Sequence, residues 1–597
     1  MQKGFDLMLI NSLAPRHRIA SDASLENSLA LIRTYLEEKG FAVHVVDEQR
    51  ISWVEQGVSR WVRATLRKLT IWQIKTYGLN YSWLTLFFIL LAWPLQALAI
   101  HQQNSHLNKL AANIIQTVNE ENIPFVGIKL WYGSAFNWGV ELAKKLKQQS
   151  PETTVVAGGP HVKVFGEHVL VNQSFDLAIM GPGEQILAEL IRLRRTVPSK
   201  KDFLQLVQAN FSSTPLIQTG QFKINDPFDA TFFITPKYTF ADLQDKILFH
   251  TLVDGIGCSW NQCNFCSHTR QCVNHIPRPI EYIKQEILEM TATGIGFFRF
   301  SSSETPISQG KAIANMLLKE NIHIHYSMFI RAGKVTEDTY NAFRLMIRSG
   351  LRAVFMGGET GHDQINNHIM NKGVTRQEIA DTIHALKLAA ADEGITCRVG
   401  LAMIYPCPVI PGVSLEDIYQ ANLSLIQETL PDAVIVNPPG IFPGTAWFDD
   451  AEKFGFAIGQ DFVTKLMNYE YSIYKPVELW PKLDIALNGQ DVPTLLKEAG
   501  RLRRAVEDLG IPMGVSDELL MMIDAIGMSS KHDLLEFRKQ SLIDIMSGSS
   551  QYISGIAARI NEYGRNLAYS NHPRSDQSDL HSQQDAVREI AATITSH

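Results

Sequence analysis

Apolar runs of 7 to 11 residues, alternating with stretches of helical periodicity, constrain this chain more than anything else in it. "FDLMLINSL" (5–13) leads to the helix-like "SLENSLALIRTYLEEKG" (24–40), then "FAVHVVD" (41–47), "PFVGIKLWYGS" (124–134), "FNWGVELAKKLKQQ" (136–149), "TTVVAGGPHV" (153–162) and "FDLAIMGPGEQ" (175–185). Strands and helices in this alternation predict a parallel sheet covered on both faces, which binds ligands at the carboxyl ends of its strands. The alternation resumes between 245 and 450. There "IGFFRFSSSE" (295–304), "IHIHYSMFIRAG" (322–333), "RAVFMGGETG" (352–361), "ITCRVGLAMIYP" (395–406) and "AVIVNPPGIFPGT" (433–445) run into loops between helical stretches. Six or so such units predict a (β/α)6-type partial TIM barrel with its chemistry at the C-terminal strand ends. The 597 residues exceed a single core. The expected division is a Rossmann-like domain over 1–200, a linker over 201–244, the barrel over 245–475, a helical C-terminal domain over 476–567 and a polar, flexible tail over 568–597.

Residues 51–110 interrupt the first series. They hold Trp53, Trp61, Trp72, Trp83 and Trp93, with no Asp, Glu, Lys or Arg between Lys75 and Lys109. "WLTLFFILLAWPLQALAI" (83–100) is long enough to span a bilayer. A single crossing, however, would put the first two strands across the membrane from their sheet partners. Two readings survive: an apolar helical insertion buried on the protein or in a dimer surface, or a monotopic element in peripheral membrane contact. Arg60, Arg63, Arg67 and Lys68, interspersed with Trp and Leu, suit the second.

The formal net charge of -6 carries no basic footprint, so nucleic acid is not an expected partner. The N-terminus reads without a signal peptide, and six cysteines in this length are no disulfide scaffold, which together point to the cytoplasm. Three of the six, Cys258, Cys263 and Cys266, fall in "CSWNQCNFC" (258–266) with the spacing C-x4-C-x2-C. A zinc site needs a fourth ligand, which Cys272 or His268 could supply. A dithiol redox pair would leave Cys258 idle. An iron–sulfur cluster takes its thiolates from short loops of this kind, and three ligands leave one iron open to a substrate. Cys397 is expected as strand packing and Cys272 as a bystander.

Together these residues resemble the radical S-adenosylmethionine (SAM) enzymes, and their cobalamin-binding branch in particular. That family's loop is usually C-x3-C-x2-C with an aromatic residue before the last cysteine, here Phe265; the first gap in this chain is one residue longer. "GGETGHDQINNHIMNKGVT" (357–375) is similar to the branch's fourth-strand segment, with Glu359 and Thr360 where the family carries Glu-Ser. "PPGIFPGTAWFDDAEKFGF" (438–456) is similar to its Pro-Gly-Thr segment, and Arg331 matches the arginine that ends its third strand. "FRFSSSETP" departs from the usual acidic pair at the second strand, leaving Ser302 and Glu304 as the counterparts. "VVAGGPHV" and "MGPGEQ" look like the branch's cobalamin-domain signatures.

The resemblance implies a [4Fe–4S] cluster on Cys258, Cys263 and Cys266, and SAM contacts from Phe265, Ser302, Glu304, Arg331, Glu359 and Thr360. It implies cobalamin held by Ser134, Gly158, Gly159, Pro160, His161, Gly181, Gly183 and Glu184. The Asp-x-His-x-x-Gly loop that supplies a cobalt-ligating histidine is absent from 1–200, so His161 is expected as a loop or nucleotide contact. Cys407 and Tyr405, just after a barrel strand, are candidate catalytic residues. The implied activity is a C-methyltransferase of specialised metabolism. A 5′-deoxyadenosyl radical takes hydrogen from an unactivated carbon, and methylcobalamin supplies the methyl. The substrate would be a small molecule or peptide, and the electron donor a flavodoxin or ferredoxin. A radical cyclisation, ring contraction or rearrangement without methyl transfer is the alternative on the same cofactors. A zinc-stabilised binding module is the alternative of another class.

Overall fold

The computed structural model describes residues 4–572 except 17–19, 79–81, 198, 212–214, 219–233, 269–274 and 470–479. Cys272 and all but the first residues of the polar tail lie outside the described residues.

Strands β1 (Leu7–Asn11), β2 (Val43–Val46), β3 (Phe125–Lys129), β4 (Thr154–Gly158), β5 (Leu177–Met180) and β6 (Leu216–Gln218) form one sheet in the order β2-β1-β3-β4-β5-β6. Every pairing is parallel. The associated helices are α1 (Asn27–Glu38), α2 (Arg60–Gly78), α3 (Ser82–Glu120), α4 (Ser134–Gln149), α5 (Pro160–Phe165), α6 (Glu184–Thr196) and α7 (Lys200–Asn210). All five residues of β1 are buried because both faces are covered. Leu7 and Leu9 join a layer with α1, α6 and α7, while Met8 and Ile10 join the opposite layer with α3, α4 and α5. The sheet continues beyond residue 200 into β6, three residues too short to stand out as a strand in the sequence.

Helix α3 is one continuous helix of 39 residues with two roles. Its first half pairs with α2 in a hairpin, where Val62 and Leu66 meet Ala92 and Ala99. Its second half covers the sheet with Leu107, Ala111, Ile114, Ile115 and Val118, and so serves as the crossover into β3.

The second sheet contains β7 (His250–Leu252), β10 (Phe297–Phe300), β11 (His325–Ile330), β12 (Leu351–Glu359), β13 (Arg398–Ile404) and β14 (Ala433–Asn437), in the order β14-β13-β12-β11-β10-β7. All its pairings are parallel. A small antiparallel ribbon of β8 (Gly255–Ile256) and β9 (Ile276–Pro277) brackets the cysteine loop. The sheet is a six-stranded partial barrel with β7 and β14 as its edges. Outside it lie α8 (Ile280–Ala292), α9 (Ile307–Lys319), α10 (Glu337–Arg348), α11 (Arg376–Glu393), α12 (Leu415–Thr429) and α13 (Val492–Asp508). These pack on Val354, Met356, Leu401 and Val434.

The concave face carries Phe297, Ala353, Phe355 and Ala433, and the C-terminal helices α14 (Asp517–Ala525), α15 (Lys531–Ser547) and α16 (Gln551–Tyr569) fill it. At the N-terminus of α14, Asp517 accepts from Ser327 (2.7 Å) and Arg299 (3.1 Å). At its far end Asp524 pairs with Arg398 at the start of β13. The helix therefore occupies the lower lumen and leaves the C-terminal strand ends clear. Two buried or half-buried ties join the halves of the molecule: Lys246 Nζ to Asp47 at 2.8 Å, and Asn27 Nδ2 to the Thr251 carbonyl at 2.6 Å.

Candidate active site

The cysteine loop leaves the barrel after β7 and is held from below by the segment that follows β12. Asn264 is fixed three ways: its N–H donates to Met370 O (3.0 Å), its Nδ2 to Ile369 O (3.0 Å), and its carbonyl accepts from Trp447 N (3.1 Å). Trp260 Nε1 donates to Asn371 O (2.7 Å), and Asn371 Nδ2 returns a bond to Gln262 O (2.8 Å). The residues in the longer first gap are thus tied down on the 369–373 segment, which accommodates the extra residue. Cys258, Cys263 and Cys266 are all half-buried, and none is in a disulfide. Burial, the largest cause, pushes the Cys263 thiol up to about 12, with the other two cysteines near enough to add to it and Lys372 opposing. Such thiols release their protons to a metal rather than to water. Among the described residues no three His, Cys, Asp or Glu side chains converge on one metal ion. A cubane takes each thiolate on a different iron, so three spaced thiols on one loop fit a cluster better than a mononuclear zinc.

Around the loop stand the ends of β10, β11 and β12. Glu304 receives hydrogen bonds from Cys258 Sγ (3.0 Å) and Ser259 Oγ (2.7 Å). Ser302 is buried and bonded to Asp254, which also accepts from Thr305; burial raises the Asp254 carboxyl to about 6. Arg331 donates to the carbonyls of Lys372 (2.5 Å) and Gly373 (2.8 Å), with its guanidinium 4.6 Å from the centre of the Trp260 ring. Glu359, at φ 61°, ends β12 and pairs with Lys372 at 2.8 Å. A Cβ on Gly357 would stand 2.2 Å from Glu359 Oε1, so glycine is what lets that carboxylate fold back over the strand. Lys372 also lies 6.0 Å from the Phe265 ring centre, and Phe265 packs against Trp447 at 5.6 Å.

Glu304 and Arg331 meet the cysteine loop directly, and Glu359 does so through Lys372, which faces Phe265 of the loop; Ser302 instead meets Asp254, Glu304 O and Thr305. Thr360 does not reach the loop and is buried with its hydroxyl donating to Asn422 (2.8 Å). Cys407 and Tyr405 are also buried. Tyr405 turns its hydroxyl toward Glu498 of α13 (3.2 Å), and burial raises Cys407 to about 12. Sequence position just after β13 puts both near the barrel mouth, but their side chains turn into the helix layer. Lys372, Trp260 and Asp254 are site residues that sequence reasoning missed. Lys372 lies inside the quoted 357–375 segment, and only the fold-back of that segment pairs it with Glu359.

In the first sheet the chain direction switches between β1 and β3, where a ligand crevice is expected. Trp131 bridges it, its Nε1 donating to Asn11 Oδ1 and its backbone N–H to Ser12 Oγ, both at 3.0 Å. At the end of β4 a Cβ on Gly158 would meet nothing within 4 Å. A Cβ on Gly159, at φ 90°, would lie 2.8 Å from Lys129 Cγ and 3.2 Å from Leu130 N. The open cradle is therefore at Gly158, where a broad, flat ligand such as a corrin would fit, while Gly159 is glycine because Lys129 and Leu130 fill the place of a side chain. Pro160 opens α5 and Ser134 opens α4 at this rim. Glu184 opens α6, where burial raises its carboxyl. His161 is fully buried among Tyr132, Phe136 and Phe165, within the core and not in the cradle.

Helix α5 also faces the barrel half of the molecule. Burial lowers His268, two residues past Cys266, to about 4, and Lys163 of α5 adds to that shift. Phe165 of α5 meets Phe442, in the segment after β14, at 6.2 Å. A separate cavity of about 330 Å³ lies along the other edge of the barrel, between β14 and the C-terminal helices, and contains none of these residues.

A family model described as the B12 binding domain matches residues 82–191, and a radical SAM superfamily model matches 252–421. No curated protein matches the chain. Among solved structures, the chain is similar to the radical SAM methyltransferase TsrM from Kitasatospora setae with cobalamin and [4Fe–4S] cluster bound (TM-score 0.56, 13% identity, 93% of this chain and 99% of that one). It is likewise similar to TsrM with tryptophan substrate and a SAM analogue (0.54, 12%, 84% and 89%). A third similar structure is the apo form of the cobalamin-dependent SAM radical enzyme OxsB (0.50, 12%, 98% and 81%).

Proposed function

Because this chain belongs to the cobalamin-binding branch of the radical SAM superfamily, and is thus an enzyme using a [4Fe–4S] cluster, SAM and cobalamin, we propose that it is a C-methyltransferase. Cys258, Cys263 and Cys266 would hold the cluster. Arg331, Glu304 and the Glu359–Lys372 pair bound the space beside it where SAM's polar groups would bind, while Phe265, backed by the buried Trp447, gives that space an apolar wall. The open cradle at Gly158 would carry the corrin. Bound there, these cofactors supply what no side chain can at neutral pH: a radical strong enough to take hydrogen from an unactivated carbon, and a methyl group to place on it. The protein positions substrate and cofactors and keeps water away from the radical.

The observation that carries the reading is the junction at α5. One short helix begins at the proposed cobalamin cradle and sets Phe165 against Phe442 at 6.2 Å, in the segment whose Trp447 N–H binds Asn264 of the cysteine loop. Transfer of a methyl from one cofactor to a carbon activated by the other requires this closeness. The substrate is a small molecule or peptide, and the electron donor a small flavodoxin- or ferredoxin-like protein. The test is anaerobic turnover of the reconstituted enzyme with SAM, a reductant and candidate substrates. Methyl transfer forms S-adenosylhomocysteine together with 5′-deoxyadenosine and a product heavier by one methylene. Turnover forming 5′-deoxyadenosine without S-adenosylhomocysteine would replace this reading with a rearrangement.

A further inference from the structure

Of the 18 large apolar side chains that are exposed among the described residues, nine belong to the α2–α3 hairpin. Trp61, Trp72, Trp83 and Trp93 are 49–70% exposed, with Phe87 and Leu90 between the last two. An apolar patch of this kind on a water-facing surface signals a binding face. Its charge names the partner. From Gln56 to Asn119 the chain has no Asp or Glu and six Lys or Arg, in a protein whose formal net charge is -6. Arg63 and Arg67 are spoken for by Glu55 and Asp544. Arg60, Lys68 and Lys75 are exposed on the same helical stripe of α2 as Trp61 and Trp72.

Geometry fixes the mode of contact. Strand β2 enters the hairpin and β3 leaves it, and both pair with β1, so the hairpin goes out and returns on one side. Arg67 to Asp544 and Gln96 Nε2 to the Met546 carbonyl (2.8 Å) pin its base on α15. Beyond that base the arms extend over Lys68–Gly78 and Ser82–Leu95, roughly 15–20 Å of helix, against a hydrocarbon core of about 30 Å. Helix α3 is apolar enough to enter a bilayer, with a mean hydropathy of 2.0 in its most apolar window and 17% of that window buried. A second copy of the chain is the weaker occupant, because a symmetric contact would oppose two hairpins that both lack any acidic residue.

We propose that the α2–α3 hairpin is a monotopic membrane-docking element that lies along one leaflet, burying its exposed Trp and Phe side chains and seating Arg60, Lys68 and Lys75 along anionic headgroups. The inference does not depend on which reaction the barrel performs. The test is co-flotation of the full-length holoenzyme with vesicles of phosphatidylcholine alone, and with vesicles of equal parts phosphatidylcholine and phosphatidylglycerol, at low and high salt. Wild type floats with the anionic vesicles, and raised salt weakens it. A charge variant, R60E/K68E/K75E, loses affinity for the anionic vesicles by on the order of a hundredfold. A tip variant, W83S/F87S/L90S, fails to float with either vesicle. All these side chains are exposed, and unchanged cluster and cobalamin absorbance with an unchanged melting temperature certifies the fold. Wild type that stays unbound with anionic vesicles overturns the proposal, as does a tip variant that floats like wild type. Sedimentation in which the tip variant turns a dimer into a monomer, with no vesicle binding by either protein, assigns the face to a second copy.

Discussion

Two adjacent glycines at the end of β4 make opposite predictions. Replacing Gly159 by alanine forces a Cβ onto a residue at φ 90° and ψ −170°, a region essentially closed to all but glycine, which costs about 1–3 kcal/mol on backbone grounds. The new methyl would also stand 2.8 Å from Lys129 Cγ and 3.2 Å from the Leu130 nitrogen. Lys129 cannot swing away freely, since Glu26 holds its Nζ at 2.5 Å. The backbone cannot shift without weakening the Leu130 N–H bond to Gly158 O (2.9 Å). Overpacking of this kind costs about 1–3 kcal/mol, so Gly159→Ala destabilises the domain by about 2–6 kcal/mol in all. At Gly158 a Cβ meets nothing within 4 Å, and the apoprotein tolerates alanine with a change under about 1 kcal/mol. The space that methyl enters is the proposed corrin site, so Gly158→Ala is expected to weaken cobalamin binding by about tenfold or more while leaving the apoprotein's melting temperature in place. Thermal melts of the apoproteins and absorbance titrations with hydroxocobalamin read both effects. A Gly158→Ala protein that binds cobalamin as tightly as wild type would refute the placement of the corrin. A Gly159→Ala protein that melts with wild type would refute the steric argument.

Other outcomes follow from the barrel. Burial first, and then Asp517, raise Glu518 to about 7, so the folded protein holds a proton that the unfolded chain gives up above its ordinary 4.5. The stabilisation is complete below about 4.5 and lost as pH rises to about 7. Glu518→Gln therefore matches wild type in melts near pH 4.5 and exceeds it at pH 8, by roughly 1–3 kcal/mol. Arg331→Lys gives up the paired donation to Lys372 O and Gly373 O and the contact over Trp260. Its cluster loop is loosened by about 1–3 kcal/mol, read as lower iron content after reconstitution and desalting. Gly357→Ala drives a Cβ into Glu359 Oε1 and Lys372 Nζ, and lowers SAM affinity by about tenfold or more in equilibrium dialysis while cluster content is retained.

The parts of this molecule that local pattern can carry were legible in its sequence. The Leu-Met-Leu-Ile run of β1 announces a strand buried on both faces, and the cysteine spacing announces a metal loop whichever fold holds it. The ends of β10, β11 and β12 were legible because strand ends and loops read directly as strand-to-loop transitions. What escaped is made by contacts distant in sequence. Lys372 pairs with Glu359 through a fold-back, and Trp260 lies under Arg331 from 71 residues away in the chain. β6 has three residues and takes its identity from β5 alone. Thr360 and Tyr405 turn from the cysteine loop for a related reason: sequence places a residue at a strand end but not the direction of its side chain, and Asn422 and Glu498 decide that direction. The helices that fill the lumen show ordinary amphipathic periodicity, which says nothing of the face they cover.

With Cys258, Cys263 and Cys266 as its ligands, a [4Fe–4S] cluster would keep one iron open to SAM. Electron paramagnetic resonance of the dithionite-reduced, reconstituted protein, recorded without and with SAM, tests it most directly. The account predicts the signal of a reduced [4Fe–4S] cluster that changes when SAM is added, and that is lost in Cys266→Ala. A colourless zinc protein, or a cluster signal that SAM leaves unchanged, would contradict it.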